Sequence, residues 1–363
     1  MLGYYGVILR INLTEKNFWT ERPHESIYEK YIGGKGLASH LLYELNPAGV
    51  DHLAPENCLI FATGPAAASS IWGGCRYGVF TKSPQTGLYA ESYSGGKVPE
   101  AIDSTGYDAI IIHGQSAAPI VLEIHPGEVL FHEAGDLWGR ETYETEDEAL
   151  KRFTRNDRGY KKPGAVVIGP AAEKLVRFGV INNDYWRQAG RTGVGTVLGA
   201  KKVKAIVFQG DRSRPIFDKA GAQELAKKIA ALGKDNPGVL GYKSFGTPQL
   251  VKVTNSNNCF PTRYWSEGKY DQWEQISADA LNAKCDVQPK ACLKCFMACG
   301  RHTTVKNGRH AGLVCEGPEY ETIYAFGGLC MIDSIEEILY LNDICDRLGM
   351  DTITAGNLCA FAI

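Results

Sequence analysis

Five short runs limit what the first two hundred residues can fold into: CLIFATGP (58–65), AIIIHG (109–114), IVLEIHPG (120–127), AVVIGP (165–170) and VKAIVFQG (203–210). Each is an apolar stretch rich in β-branched residues and stopped by glycine or proline, the pattern of buried strands. GVILRINLT (6–14) adds a further strand with Val7, Leu9, Ile11 and Leu13 on one face. Helical stretches around 26–45 and 143–154 interrupt them. GDRSRPIFDKAG (210–221) reads as a linker, and past it the pattern turns helical. AQELAKKIAALGK (222–234) has helical spacing. DSIEEILYLNDICDRLGM (333–350) opens on a capping box, Ser334 with Glu337, and carries an apolar stripe of Ile338, Leu341, Cys345 and Leu348. Gly349 stands where a left-handed C-cap is wanted. The expectation is an α+β chain: a β-rich domain over 1–212, then a mainly helical one over 213–363.

Length and composition agree with two domains. The chain has 363 residues, 44% hydrophobic and 22% charged, with a formal charge of −2. That balance gives no reason to expect nucleic acid or an anionic membrane as partner. The basic run AKKVKA (200–205) reads as a solvated strand edge. The N-terminus shows no export signal, and no stretch approaches the roughly 18 uninterrupted apolar residues of a membrane span. The expected location is cytoplasmic.

Nine of the eleven cysteines fall at or after Cys259, which argues against a disulfide framework and for one local demand for thiolates. Cys58 reads as a small core hydrophobe. Cys292, Cys295 and Cys299, in ACLKCFMACG (291–300), form a C-x2-C-x3-C set. Spacings this short let several thiolates converge on an iron–sulfur cluster. Radical enzymes that pair a cluster with S-adenosylmethionine use the reverse order, so that class is excluded. Two alternatives stay open: structural zinc with His302 as a fourth ligand, and core thiols without metal. Spacing identifies no fourth cluster ligand.

AGRTGVGTVLG (189–199) imitates a dinucleotide fingerprint, but NNDYWRQ precedes it where an apolar strand is required. Forty-one glycines, many in pairs, suit either tight turns or close backbone approach to a large flat ligand. Arg187 and Arg191 flank glycine in RQAGRTG, so guanidinium groups and backbone N–H groups there could share a phosphate. Arg76 in GGCRYG is similarly placed. Asp346 and Asp351 flank a helix C-terminus, where the dipole disfavours carboxylates; they are either acceptors for a ligand rich in N–H donors or two solvated acids.

Many ordered motifs then agree with one family. GGKGLA, PENCLIFATGP, RYGVFTKSP, TGYDAIII, AGRTGVGTVLGAKKVKAI, the C-x2-C-x3-C set, EGPEYET and DRLGMDT together resemble the tungsten-containing aldehyde ferredoxin oxidoreductases. The resemblance implies tungsten, or molybdenum, held by the dithiolenes of two pterins, beside a [4Fe–4S] cluster. The implied reaction is oxidation of aldehydes to carboxylic acids, with electrons passed to ferredoxin. The implied fold is a β-rich pterin base covered by helical domains. Residue by residue, it makes Cys292, Cys295 and Cys299 cluster ligands and Arg76 a bridge between cluster and pterin. Arg187, Gly190 and Arg191 would bind pterin phosphate, with Gly95 nearby. Tyr93 and Gln188 occupy positions whose main-chain carbonyls surround a bridging magnesium. Asp346, Met350 and Asp351 would hold one pterin's ring nitrogens, and Glu321 would be a general base near the metal.

Family members continue past this point into a third domain with a second pterin motif, the fourth cluster cysteine and a catalytic histidine. The expectation is therefore that the chain is a fragment or truncated product, inactive alone, with its partners, a homo-oligomer or attached electron-transfer subunits, undetermined. A non-catalytic iron–sulfur electron-transfer or assembly subunit, a zinc-stapled binding protein and a related aromatic thioester reductase are the competing readings.

Overall fold

A computed structural model describes residues 2–363. It is α+β, a β-rich N-terminal part followed by a mainly helical one, as expected. The chain divides into two compact units. The first is Met1–Ala226 together with Arg347–Met350, and the second is Lys227–Asp346 with Asp351–Ile363.

The first unit is built on two six-stranded sheets. One runs, in spatial order, Asn17–Glu21, Ile8–Asn12, Ala109–His113, Leu59–Thr63, Tyr77–Lys82 and Tyr89–Ser94. Only its Ile8–Asn12 and Ala109–His113 pair is parallel. The other runs Arg187–Ala189, Ile181–Asn183, Gly164–Val167, Val203–Phe208, Ile120–His125 and Glu128–Glu133. Leu9, Ile11, Phe61 and Ile110 of the first sheet share one core with Leu122, Val166, Ile206 and Phe208 of the second, so the sheets pack face to face. Helices Glu25–Tyr31 and Gly34–Leu45 cover the far face of the first through Tyr28, Leu37 and Leu41. Helix Thr142–Phe153 covers the far face of the second. Because both faces are buried, the strands read as continuous apolar runs rather than alternating ones.

One feature of this unit overturns its reading from sequence. AKKVKA is no solvated edge: Lys201 is 1% and Lys204 0% exposed. The strand they lead into is central, and its neighbours bring carbonyls to both ammonium groups. Lys201 Nζ donates to Pro55 O (2.9 Å) and Gly114 O (3.0 Å); Lys204 Nζ donates to Ile168 O (2.9 Å) and to the Glu173 carboxylate. Burial pulls the Lys201 ammonium down to about 8. The segment after Gly210 is exposed and free of helix or strand as far as Asp218, apart from one side chain. Arg214 is buried, with Nε on Asp103 Oδ1 (2.9 Å), Nη1 on Asp108 Oδ1 (2.6 Å) and Nη2 on Thr63 Oγ1 (3.0 Å).

The second unit holds helices Pro237–Phe245, Leu250–Ser256, Ala278–Lys284, Ile335–Leu348 and Thr352–Ala362. A three-stranded antiparallel sheet joins Cys285–Lys290, Gly300–Val305 and Val314–Glu316. On Ile335–Leu348 the buried face is Ile335, Ile338, Leu339, Asn342, Asp343, Cys345 and Asp346. The expected stripe thus turns by about one residue: Leu341 and Leu348 are only half-buried, and three polar side chains go inside. Half of the capping box forms. Glu337 N–H donates to Ser334 Oγ (3.4 Å), while the Glu337 carboxylate pairs with Arg309 and His310 instead of reaching back. Gly349 has φ +71°, as its C-cap position requires. Among the described residues, no helix is long and apolar enough to cross a membrane.

Candidate functional site

In the first unit, most of the anion-binding candidates meet where two strand ends converge on a hairpin, and Asn183 ties them. This buried side chain accepts from Tyr77 Oη (2.9 Å) and Ser94 Oγ (2.8 Å), and donates to Gly95 O (3.0 Å) and Asp184 Oδ2 (3.1 Å). Asp184 Oδ2 also accepts the Lys97 N–H (2.7 Å), and Cys75 Sγ donates to Gly96 O (2.9 Å). Arg76, Tyr93 and Gly95 are therefore held beside the hairpin that carries Arg187, Gln188 and Gly190. Arg191 N–H closes the arrangement on Ser92 Oγ (3.1 Å).

Arg76 and Arg191 are exposed, and Arg187 and Gln188 are half-buried. Arg76 Nη1 donates to the neighbouring Cys75 carbonyl (3.1 Å). Tyr93, 43% exposed, lays its ring edge-on to Phe80 and donates its hydroxyl to Glu91 (3.1 Å); burial and the Glu91 charge both raise its pKa.

The glycines of AGRTGVGTVLG separate by role. A Cβ on Gly193, Gly195 or Gly199 would lie 2.1–2.2 Å from the carbonyl oxygens of Arg177, Val180 and Ala172. Those three let the buried helix Val194–Ala200 pack its backbone against other backbone, which is why the segment imitates a dinucleotide motif. Gly190 differs: only the Gln188 side chain lies within reach, at 3.4 Å. It leaves an open approach between two guanidinium groups.

Residues that sequence reasoning passed over support this edge. Asp184 and Tyr185 both have positive φ, +50° and +62°, and Glu146 accepts their amide hydrogens at 2.8 and 2.9 Å. Burial raises the Glu146 carboxyl to about 7, against the two amide donors and with help from Asp184 and Asp147. An acid facing inward from TYETEDEALKRF carries no local signal that separates it from the solvated acids beside it.

Arg347–Met350 also belongs to the first unit. Gly349 O accepts the Val180 N–H (2.9 Å), Met350 bridges Gly179, and Arg347 pairs with Glu141 (2.9 Å). A Cβ on Gly169 would meet Leu348 O at 2.3 Å, so a glycine is needed at that crossing.

In the second unit, Asp346 and Asp351 are 3% and 4% exposed, which rules out the solvated-acid alternative. Asp346 accepts from Asn342 Nδ2 (2.8 Å). Asp351 caps Thr352–Ala362, accepting the N–H groups of Ile353 (3.0 Å) and Thr354 (3.3 Å). The Thr354 hydroxyl also donates to Asp351 (2.5 Å). Glu321 is exposed in the first turn of the short helix Tyr320–Thr322. A π-helical turn, Ile323–Gly328, follows directly, a distortion frequent at functional sites.

Cys292, Cys295 and Cys299 share the loop between Cys285–Lys290 and Gly300–Val305, and all three are partly exposed. Cys295 N–H donates to Cys292 O (3.1 Å), and Lys294 and Ala298 are left-handed, so the loop is a tight double turn. Among the described residues, no three Cys, His, Asp or Glu side chains are gathered closely enough to hold a metal ion. Three partly exposed thiols on one loop are the donor type that an iron–sulfur cluster takes.

Comparison with known proteins places this layout. The family model for the N-terminal domain of aldehyde ferredoxin oxidoreductase matches residues 8–210, and the model for its domains 2 and 3 matches residues 224–363. The chain belongs to the aldehyde ferredoxin oxidoreductase family. It is 38% identical to a tungsten-containing aldehyde ferredoxin oxidoreductase of Thermococcus kodakarensis and 39% identical to one of Pyrococcus abyssi. Both alignments cover 100% of this chain but only 59% and 58% of those proteins. It also resembles the solved active-site complex BamBC of benzoyl coenzyme A reductase in complex with 1,5-dienoyl-CoA. That likeness has a TM-score of 0.84 and 25% identity, over 99% of this chain and 55% of the other.

Proposed function

We propose that this protein is an oxidoreductase that converts aldehydes to carboxylic acids at a tungsten or molybdenum centre held by two pterins. Electrons would leave through a [4Fe–4S] cluster to ferredoxin in the cytoplasm. The observation that carries the reading is the edge where Arg187, Gly190 and Arg191 lie beside Gly95 and Arg76 in a chain of this family. The bound metal would supply Lewis acidity and take up two electrons as water provides the second oxygen and two protons depart.

The chain's own residues have separable tasks. Arg187 and Arg191, with the open backbone at Gly190, offer forked and backbone donors to a pterin phosphate. Gly95, whose carbonyl accepts from Asn183 (3.0 Å), would lie near that phosphate, and the carbonyls of Tyr93 and Gln188 would serve a magnesium ion. Buried Asp346 and Asp351, with Met350, would accept from the N–H edge of a pterin ring. Cys292, Cys295 and Cys299 would hold the cluster, with Arg76 between cluster and pterin. Glu321, exposed and next to a π-helical turn, would take the proton from the aldehyde hydrate.

Metal analysis and turnover test this together. Anaerobic protein from the complete reading frame, grown with tungstate, should contain tungsten or molybdenum with iron, and should oxidise aldehydes with a dye as acceptor. Iron alone would favour a non-catalytic electron-transfer subunit, and zinc alone would overturn the reading. The likeness to the benzoyl coenzyme A reductase complex supports a second reading, reduction of an aromatic coenzyme A thioester. Turnover of benzoyl-CoA with a strong reductant, and none of aldehydes, would select it.

A further inference from the structure

The second unit carries an apolar groove beside the thiol loop that the proposed chemistry does not use. Its volume is about 380 Å³, and Ala230, Gly233, Lys234, Leu240, Lys243 and Phe296 line it. Phe296 directly follows Cys295 in the chain. Its ring lies where a Cβ on Gly233 would come within 2.3 Å of Cε2, so a glycine on that helix is what admits it. Leu232, 80% exposed, and partly exposed Leu240 and Phe245 leave apolar surface around the groove.

The charge around it is one-sided. Residues 227–246 contain Lys227, Lys228, Lys234 and Lys243 against a single acid, Asp235. Residues 290–301, the thiol loop and its flanks, add the exposed Lys294 and no acid; Lys290 pairs with Glu316 (3.3 Å) and Arg301 is buried, so neither contributes to the rim. A chain of net charge −2 thus concentrates positive charge around one apolar patch. Apolar centres with a charged rim are how short-lived protein complexes combine fast, steered encounter with easy release.

We propose that this basic-rimmed groove is the docking face for an acidic one-electron carrier protein, with Phe296 as the contact between the carrier and the thiol loop. The proposal rests on the reading above, in which Cys292, Cys295 and Cys299 hold the electron exit. Each oxidation of an aldehyde and a water to a carboxylic acid releases two protons and two electrons. Two oxidised carriers, docking in turn, each take one electron and leave reduced. A second copy of this chain suits the face poorly, because a two-fold contact would set the same lysines against each other.

The test compares the protein from the complete reading frame with its Lys234→Glu, Lys243→Glu double variant. Binding of an acidic oxidised ferredoxin is followed by biolayer interferometry from low to high salt. Both lysines are exposed, so thermal unfolding should be unchanged. The double variant should lose about tenfold or more in association rate at low salt, with the difference closing at high salt. Dye-coupled turnover, which bypasses the carrier, should be equal in both. Equal binding by both proteins at low salt would overturn the docking face, as would a salt-sensitive self-association abolished by the same reversals. Absent dye-coupled turnover would count against the proposed reaction, while the binding arm would still decide the surface.

Discussion

Glu146 accepts the amides of two successive left-handed residues, Asp184 and Tyr185, and so sets the direction in which Arg187 leaves the hairpin. Its folded pKa, about 7, lies above the ordinary glutamate value, so the folded protein binds the extra proton between about pH 4.5 and 7. Stability contributed at this position is therefore fully present below pH 4.5 and falls as pH rises through 7, by up to about 3 kcal/mol. Asp147, Asp184 and Tyr185 face the carboxyl, and none of them offsets that sign. Glu146→Gln should remove this slope while leaving one of the two amides without its acceptor. Denaturant unfolding of both proteins across that pH range should show a falling curve for the parent and a flat one for the variant. Parallel curves would mean that Glu146 stays ionised throughout.

At the scale of elements, the thiol loop and the helix Ile335–Leu348 show two kinds of legibility. The C-x2-C-x3-C spacing is a local property, and the structure turns it into a half-exposed double turn between two strands. Cys295→Ser should therefore abolish iron and sulfide binding and the broad visible absorbance of a cluster, with little effect on thermal unfolding. Zinc in anaerobic wild-type protein, with no iron, would sink this expectation. The helix was legible in extent, in its Gly349 C-cap and in half of its capping box, but not in its buried face. The polar atoms of Asn342, Asp343 and Asp346 are tolerated inside because neighbours satisfy them, as Asn342 does for Asp346. A hydrophobic stripe read from sequence has no means of registering such a partner.

For the whole molecule, the first unit contains three apolar cores, all drawn from residues 4–208. Residues 1–226 made alone should fold cooperatively. They would lack the Gly349–Val180 bond, the Met350–Gly179 bridge and the Arg347–Glu141 pair, a loss of about 1–3 kcal/mol. A sharp thermal transition with well-dispersed amide resonances would meet this expectation; a gradual melt would show that the return segment is required for folding. This chain spans under three-fifths of the length of those two relatives.

The sequence by itself determined the strands of the double-sheet base, the change to helices, the thiol spacing and the family, because each is written in near neighbours along the chain. Only the tertiary structure decided that Lys201, Lys204 and Arg214 are buried, that Gly193, Gly195 and Gly199 serve packing while Gly190 stays open, and that Asn183 and Glu146 position the edge that carries Arg187. The reason is physical. A charged or polar side chain goes inside only when carbonyls, carboxylates or amides from remote segments arrive to satisfy it. Pro55 O, reached by Lys201 Nζ across 146 residues, is such a partner, and no window around the lysine contains it.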